Sequence, residues 1–78
     1  MEITVYTKPG CPNCVTAKQL LKSKGLEYEE KNLDDVGLIE FQLCYPEARQ
    51  MPQIFIRRQR VGGLAGLQAA LKKMEEAS

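Results

Sequence analysis

The chain has 78 residues, enough for one domain near the lower limit for a self-sufficient hydrophobic core and too few for a second catalytic domain. Eleven basic and ten acidic residues leave a net charge of +1, so no global field points to nucleic acid or to an acidic membrane. No apolar run approaches the roughly 20 residues that span a bilayer. Histidine is absent, which excludes Cys–His catalytic pairs and mixed Cys/His zinc sites, and three cysteines leave a four-thiolate zinc site one ligand short. The odd cysteine count is unlike the even framework of a secreted mini-protein. Met1-Glu2-Ile3-Thr4-Val5 reads directly as strand, without the charged and apolar regions of a signal peptide. Together these features predict a reducing, cytoplasmic setting.

Residues 2–6 are short, β-branched and aromatic, the pattern of a buried strand. From Pro12 to Lys24, Val15, Ala17, Leu20 and Leu21 fall among lysines at helical spacing. Pro12 suits the first helical turn and Gly25 supplies the stop. Leu26 to Asn32 predicts a short strand whose Glu27, Glu29, Glu30 and Lys31 mark a sheet edge. Asp34-Asp35 caps a second helix carrying Leu38, Ile39, Phe41, Gln42 and Leu43, which ends before Pro46. Pro52 to Ile56 is a third strand, and Arg57-Arg58-Gln59-Arg60 turns it into a short fourth about Val61. Gly62-Gly63 breaks the chain before a last amphipathic helix, Leu64 to Ala77, with Leu64, Leu67, Leu71 and Met74 on one stripe.

The order βαβαββα has a natural closure. A right-handed strand–helix–strand unit lays two parallel strands side by side, and the last two strands form an antiparallel hairpin. The expected product is an α/β fold, a four-stranded mixed sheet with helices on both faces, over one domain spanning residues 1–78.

Cys11-Pro12-Asn13-Cys14 lies where the first strand runs through a turn into the first helix. Cys-x-x-Cys alone is also half a zinc site, but at a strand-to-helix junction in a small chain it reads as a redox pair. Positions i and i+3 share a helix face at a distance that suits a disulfide. The first thiol meets unpaired N–H groups and the positive end of the helix dipole, which favour thiolate, so Cys11 is read as nucleophile and Cys14 as resolving thiol. The bland alternative is a pair of buried structural cysteines.

These residues resemble glutaredoxins, in the thioredoxin-like superfamily, over essentially the whole chain. The matching pieces are Val5-Tyr6-Thr7-Lys8 leading into Cys11-Pro12-Asn13-Cys14, then Met51-Pro52-Gln53-Ile54-Phe55-Ile56, then Val61-Gly62-Gly63. Met-Pro-Gln and the short chain are similar to some phage-encoded glutaredoxins. The resemblance implies a monomeric thiol-disulfide oxidoreductase with no bound cofactor. Glutathione would be its reducing co-substrate, and protein disulfides and glutathione mixed disulfides its substrates. It implies a cis Pro52 facing the cysteines, where a substrate chain pairs with the Met51 backbone. It also implies glutathione contacts at Lys8, Pro12, Asn13, Arg49, Gln50, Met51, Pro52, Gly63, Leu64 and Ala65, with Lys8 favouring the Cys11 thiolate.

The chain departs from the family pattern at Asn13, where Tyr is usual, and at Gln50-Met51, where Thr-Val is common. Many glutaredoxins carry an acidic pair after Gly-Gly that helps hold the γ-glutamyl end of glutathione. Here the stretch is Leu64-Ala65-Gly66, without a carboxylate.

Several residues keep two readings. Lys8 is also an ordinary loop lysine, Pro52 a strand-opening proline, and Gly62-Gly63 a simple turn as well as a place where a ligand approaches the last helix. Cys44 reads as a small core hydrophobe, with glutathionylation as the alternative. Arg57, Arg58 and Arg60 read as guards of an exposed edge rather than a nucleic-acid patch. Two rival functions stand beside the first. One is a dithiol donor to ribonucleotide reductase fed by thioredoxin reductase, supported by the missing acidic pair. The other is a dimeric iron–sulfur carrier, against which Pro12-Asn13-Cys14 argues.

Overall fold

The computed structural model describes residues 2–77. Seven elements follow one another: β1 (Ile3–Thr7), α1 (Pro12–Ser23), β2 (Glu29–Asn32), α2 (Asp35–Cys44), β3 (Gln53–Ile56), β4 (Gln59–Gly62) and α3 (Leu64–Ala77). The order is the expected βαβαββα, with ends shifted by a residue or so except in β2. That strand forms only over Glu29–Asn32, because Leu26 and Tyr28 turn inward to pack on the core instead.

The strands lie in the order β2-β1-β3-β4. β1 and β2 are parallel, with Val5 opposite Glu30 and Thr7 opposite Asn32. β1 and β3 are antiparallel, with Val5 opposite Ile54, and β3 and β4 close the hairpin. Every residue of β2 is exposed, and its charges protect an open sheet edge from pairing with another chain.

Alternation along β1 sends Ile3 and Val5 to one face and Thr4 and Tyr6 to the other. Ile3, Val5 and Ile54 meet Ala17 and Leu21 of α1 and Leu67 and Leu71 of α3, and these seven form the larger buried cluster. The second cluster joins Cys11, Cys14, Phe41, Ala48 and Met51. There Phe41 of α2 stacks on Tyr6 of β1 with ring centroids 4.8 Å apart, and Tyr45 meets Phe55 at 5.4 Å. The sheet is therefore covered on both faces, as predicted.

The helix ends obey local rules. After α1, Gly25 takes φ +69°, and its N–H reaches Lys22 O while Leu26 N–H reaches Leu21 O, a Schellman stop that folds Leu26 back onto the core. Asp34 caps α2 by accepting from the Gly37 N–H at 2.8 Å.

The inward side of α2 is narrow. Phe41 is its only buried residue, whereas Val36, Ile39 and Leu43 are exposed. Cys44 is exposed too, which corrects the expectation of a core cysteine. At about 100° per residue Cys44 lies about 60° off the Phe41 direction, on a last turn that nothing covers.

Candidate functional site

Cys11 closes the loop after β1 and is the N-cap of α1, with extended backbone at φ −109° and ψ 101°. Pro12 occupies the first helical turn, where its missing N–H leaves no bond unmade. Cys14 sits in the same first turn, joined to Cys11 by a disulfide with Cα atoms 5.2 Å apart. The Cys14 N–H donates to Cys11 Sγ at 3.1 Å, so a helix donor that would otherwise lack a partner points at this sulfur. Cys11 is 8% exposed and Cys14 2%, which makes Cys11 the outer of the two.

The Met51–Pro52 peptide is cis, and the Met51 carbonyl oxygen lies 3.5 Å from Cys11 Sγ. The end of the α2–β3 loop therefore meets the disulfide at the shared end of the neighbouring strands β1 and β3. The start of α3 adjoins it, since a Cβ on Gly63 would stand 3.4 Å from the Pro52 carbonyl oxygen.

Two concavities flank these groups. A groove of about 280 Å³ is lined by Asn13, Arg49, Gln50, Met51, Pro52, Gly63 and Leu64, all seven expected from the sequence, together with Glu47 and Gln53. A second, of about 470 Å³, holds both cysteines with Lys8 and Pro12, and is also lined by Thr7, Lys18, Glu30 and Asn32. Thus Lys8 borders the sulfurs but not the groove. Ala65, expected as a binding residue, lines neither concavity and is exposed on the first turn of α3.

Polar networks hold both walls. Thr7, buried at the end of β1, donates to Glu30 Oε2 at 2.8 Å and accepts from Asn32 Nδ2 at 3.1 Å. Lys18 Nζ donates to the same Glu30 oxygen at 3.0 Å. The Lys18 ammonium, and then the Thr7 hydroxyl, hold the Glu30 carboxyl below its ordinary range. On the groove side, Arg60 donates to Glu47 Oε2 at 2.9 Å and to Gln53 Oε1 at 3.3 Å, and Gln53 Nε2 donates to Gln50 O at 2.7 Å.

Sequence reasoning missed Glu47, Gln53, Glu30 and Lys18. A polar Thr7 ending an apolar strand was the one available signal for the second network. Glu47 sits in a loop whose path no periodicity reveals.

Paired sulfurs at the carboxyl end of a parallel strand, on a mixed sheet covered by three helices, define a thioredoxin-like dithiol–disulfide protein. The glutaredoxin family profile matches residues 3–61. Glutaredoxin 3 of Escherichia coli K12 is 38% identical over 68 residues, covering 86% of this chain and 82% of that one. A hybrid peroxiredoxin, hyPrx5, of Haemophilus influenzae is 43% identical over 61 residues, covering 78% of this chain; the chain spans only 25% of that protein's length. Glutaredoxin 1 from Francisella tularensis, solved in complex with cacodylate, superposes with a TM-score of 0.82 at 28% identity, covering 96% of both chains. The chain belongs to the glutaredoxin family of thiol-disulfide oxidoreductases. Among the described residues, no helix is long and apolar enough to cross a membrane.

Proposed function

We propose that this chain, as a single glutaredoxin domain acting as a monomer in the cytoplasm, uses glutathione to reduce protein disulfides and glutathione mixed disulfides. The observation that carries this reading is the outer sulfur of Cys11. It caps a helix start and stands beside a groove that runs from Asn13 past Met51-Pro52 to the first residues of α3.

Cys11, reduced and ionised, attacks a substrate disulfide, forming a mixed disulfide and expelling one substrate sulfur as thiolate, which takes up a proton. Cys14 loses its proton and attacks Cys11 Sγ, releasing the second substrate sulfur and closing the Cys11–Cys14 bond. One glutathione thiolate opens that bond to give a glutathione–Cys11 disulfide and free Cys14. A second attacks the glutathione sulfur, leaving oxidised glutathione and the dithiol. With a glutathionylated substrate, Cys11 alone completes the cycle. Lys8, which borders the cavity of the sulfurs, favours the thiolate, and Pro12 shapes its floor. The γ-glutamyl carboxylate meets the backbone N–H groups of Gly63 and Leu64, which line the groove at the start of α3. Asn13, Arg49 and Gln50 line the rest of the ligand, and the Met51 backbone offers polar groups to an extended substrate.

A second reading is favoured by Leu64-Ala65-Gly66, which brings no carboxylate to the groove: a dithiol donor to ribonucleotide reductase, reduced by thioredoxin reductase. The deciding experiment compares turnover of a small glutathionylated disulfide with glutathione and its reductase against turnover of a protein disulfide with thioredoxin reductase. Turnover only in the second assay overturns the glutathione reading.

A further inference from the structure

We propose that Glu47 is the specificity-determining residue of the groove, taking the free α-ammonium of the γ-glutamyl end of the ligand. The inference rests on the reading of that groove as the glutathione site.

Glu47 is the one carboxylate and Arg49 the one cation among the groove-lining residues. Both lie on the short α2–β3 loop, and Ala48 between them is 1% exposed and pins the loop into the core. Ala48 N–H donates to Tyr45 O at 2.9 Å, and its carbonyl accepts from Gln42 Nε2 at 3.5 Å, so the loop backbone under Glu47 is held at both ends.

The side chain is held as well. Arg60 on β4 binds Glu47 Oε2 and Gln53 Oε1, and Gln53 returns to Gln50 O, tying the loop to the hairpin. Arg60 itself stands outside the groove lining and engages one carboxylate oxygen. Glu47 Oε1 accepts from no donor among the described residues and remains available to a ligand. A carboxylate steadied in this way loses less side-chain freedom when it takes a second cation.

Gly63 and Leu64, at the start of α3, line the same groove as Glu47, and a helix start presents unpaired backbone N–H groups. A γ-linked glutamyl residue carries its α-carboxylate and α-ammonium on one carbon. The helix start suits the first group and repels the second. Glu47 is the one carboxylate in that lining, so the groove distinguishes an unblocked α-amino group from a blocked one. This supplies from the α2–β3 loop the negative charge that Leu64-Ala65-Gly66 does not provide.

The test uses the intact protein with glutathione and its reductase. Two small mixed disulfides are compared, one carrying glutathione and one carrying glutathione acetylated at the α-amino group. The unmodified protein should prefer the free amine by about three- to fivefold in KM, the scale of an exposed ion pair. Glu47→Gln should raise KM for the free amine to that of the acetylated substrate and leave KM for the acetylated one unmoved, the effect falling on KM rather than kcat. Glu47→Asp should restore part of the preference. A preference that survives Glu47→Gln overturns the role of Glu47 while leaving the glutathione reading intact. Equal KM values for the two substrates in the unmodified protein overturn it likewise. Failure of the unmodified protein to turn over either substrate overturns both. Thermal unfolding of Glu47→Gln at the parent temperature excludes a folding effect.

Discussion

The backbone N–H of Cys14 donates to Cys11 Sγ across 3.1 Å, so the start of α1 aims a donor at the atom that becomes charged when the disulfide is reduced. The interaction favours thiolate over thiol, and the helix dipole adds to it. In the reduced protein Cys11 should therefore titrate below the free-thiol value of about 8.5. Alkylation by iodoacetamide across a pH series checks this, and a midpoint at or above that value contradicts it. Lys8→Ala should move the midpoint upward, because Lys8 borders the same cavity; an unchanged curve removes Lys8 from the account.

The difference in exposure between the sulfurs separates their expected tasks. Cys11→Ser should abolish every exchange reaction. Cys14→Ser should lose reduction of protein disulfides by the dithiol route and keep turnover of glutathione mixed disulfides, because Cys14 is the inner sulfur and enters only to resolve. Steady-state assays with both substrate types decide it. Wild-type rates in Cys11→Ser would falsify the mechanism.

Gly66 in α3 lies directly against β4. A Cβ there would stand 1.9 Å from the Val61 carbonyl oxygen and 2.8 Å from its carbon, and both obstacles are backbone that no rotamer change can clear. Gly66→Ala should destabilise the protein by about 3 kcal/mol by forcing α3 off the hairpin, despite the higher helix propensity of alanine. Urea unfolding measures this; a variant as stable as the parent shows that α3 can shift at little cost.

The β3–β4 hairpin turns through Arg57 and Arg58, at φ 52° and 69°. Both are left-handed, the backbone of a two-residue turn that prefers Asn-Gly, and each arginine carries a Cβ penalty of about 1 kcal/mol. The double substitution Arg57→Asn, Arg58→Gly should stabilise the fold by about 1–2 kcal/mol and raise Tm by several degrees. Calorimetry gives the answer, and an unchanged or lower Tm counts against it.

Glu30 makes stability depend on pH in a definite direction. Lys18 and Thr7 hold its carboxyl below the ordinary 4.5 in the folded protein, whereas the unfolded chain lacks both partners. Folding thus favours the ionised form. The stabilisation is complete above about pH 5 and is lost as pH falls through the lower native value. Glu30→Gln should be less stable than the parent at pH 7, by less than about 1 kcal/mol for so exposed a pair, with the gap closing in acid. Denaturant midpoints at several pH values test this; a gap constant down to pH 3 shows that the ionised form is not what stabilises.

Much of this molecule was legible in its residues. The β-branched and aromatic run of residues 2–6, the spacing of Ala17, Leu20 and Leu21, and the stripe of Leu64, Leu67, Leu71 and Met74 are local patterns. Any chain that buries them against one another is driven to the same seven elements. Cys11 and Cys14 were equally plain, because their relation to each other and to the helix start spans three residues. What only the tertiary structure decided is long-range. It divided the expected contacts between two concavities, left Ala65 outside both, and brought the Met51 carbonyl to Cys11 across 40 positions, a meeting that the family resemblance implied but no local pattern encodes. It also turned Cys44 to solvent and brought Glu47 to the groove through Arg60. Such relations depend on where loops end and which side chain reaches which wall. No local periodicity encodes them, because they exist only once β1, β3 and β4 stand side by side.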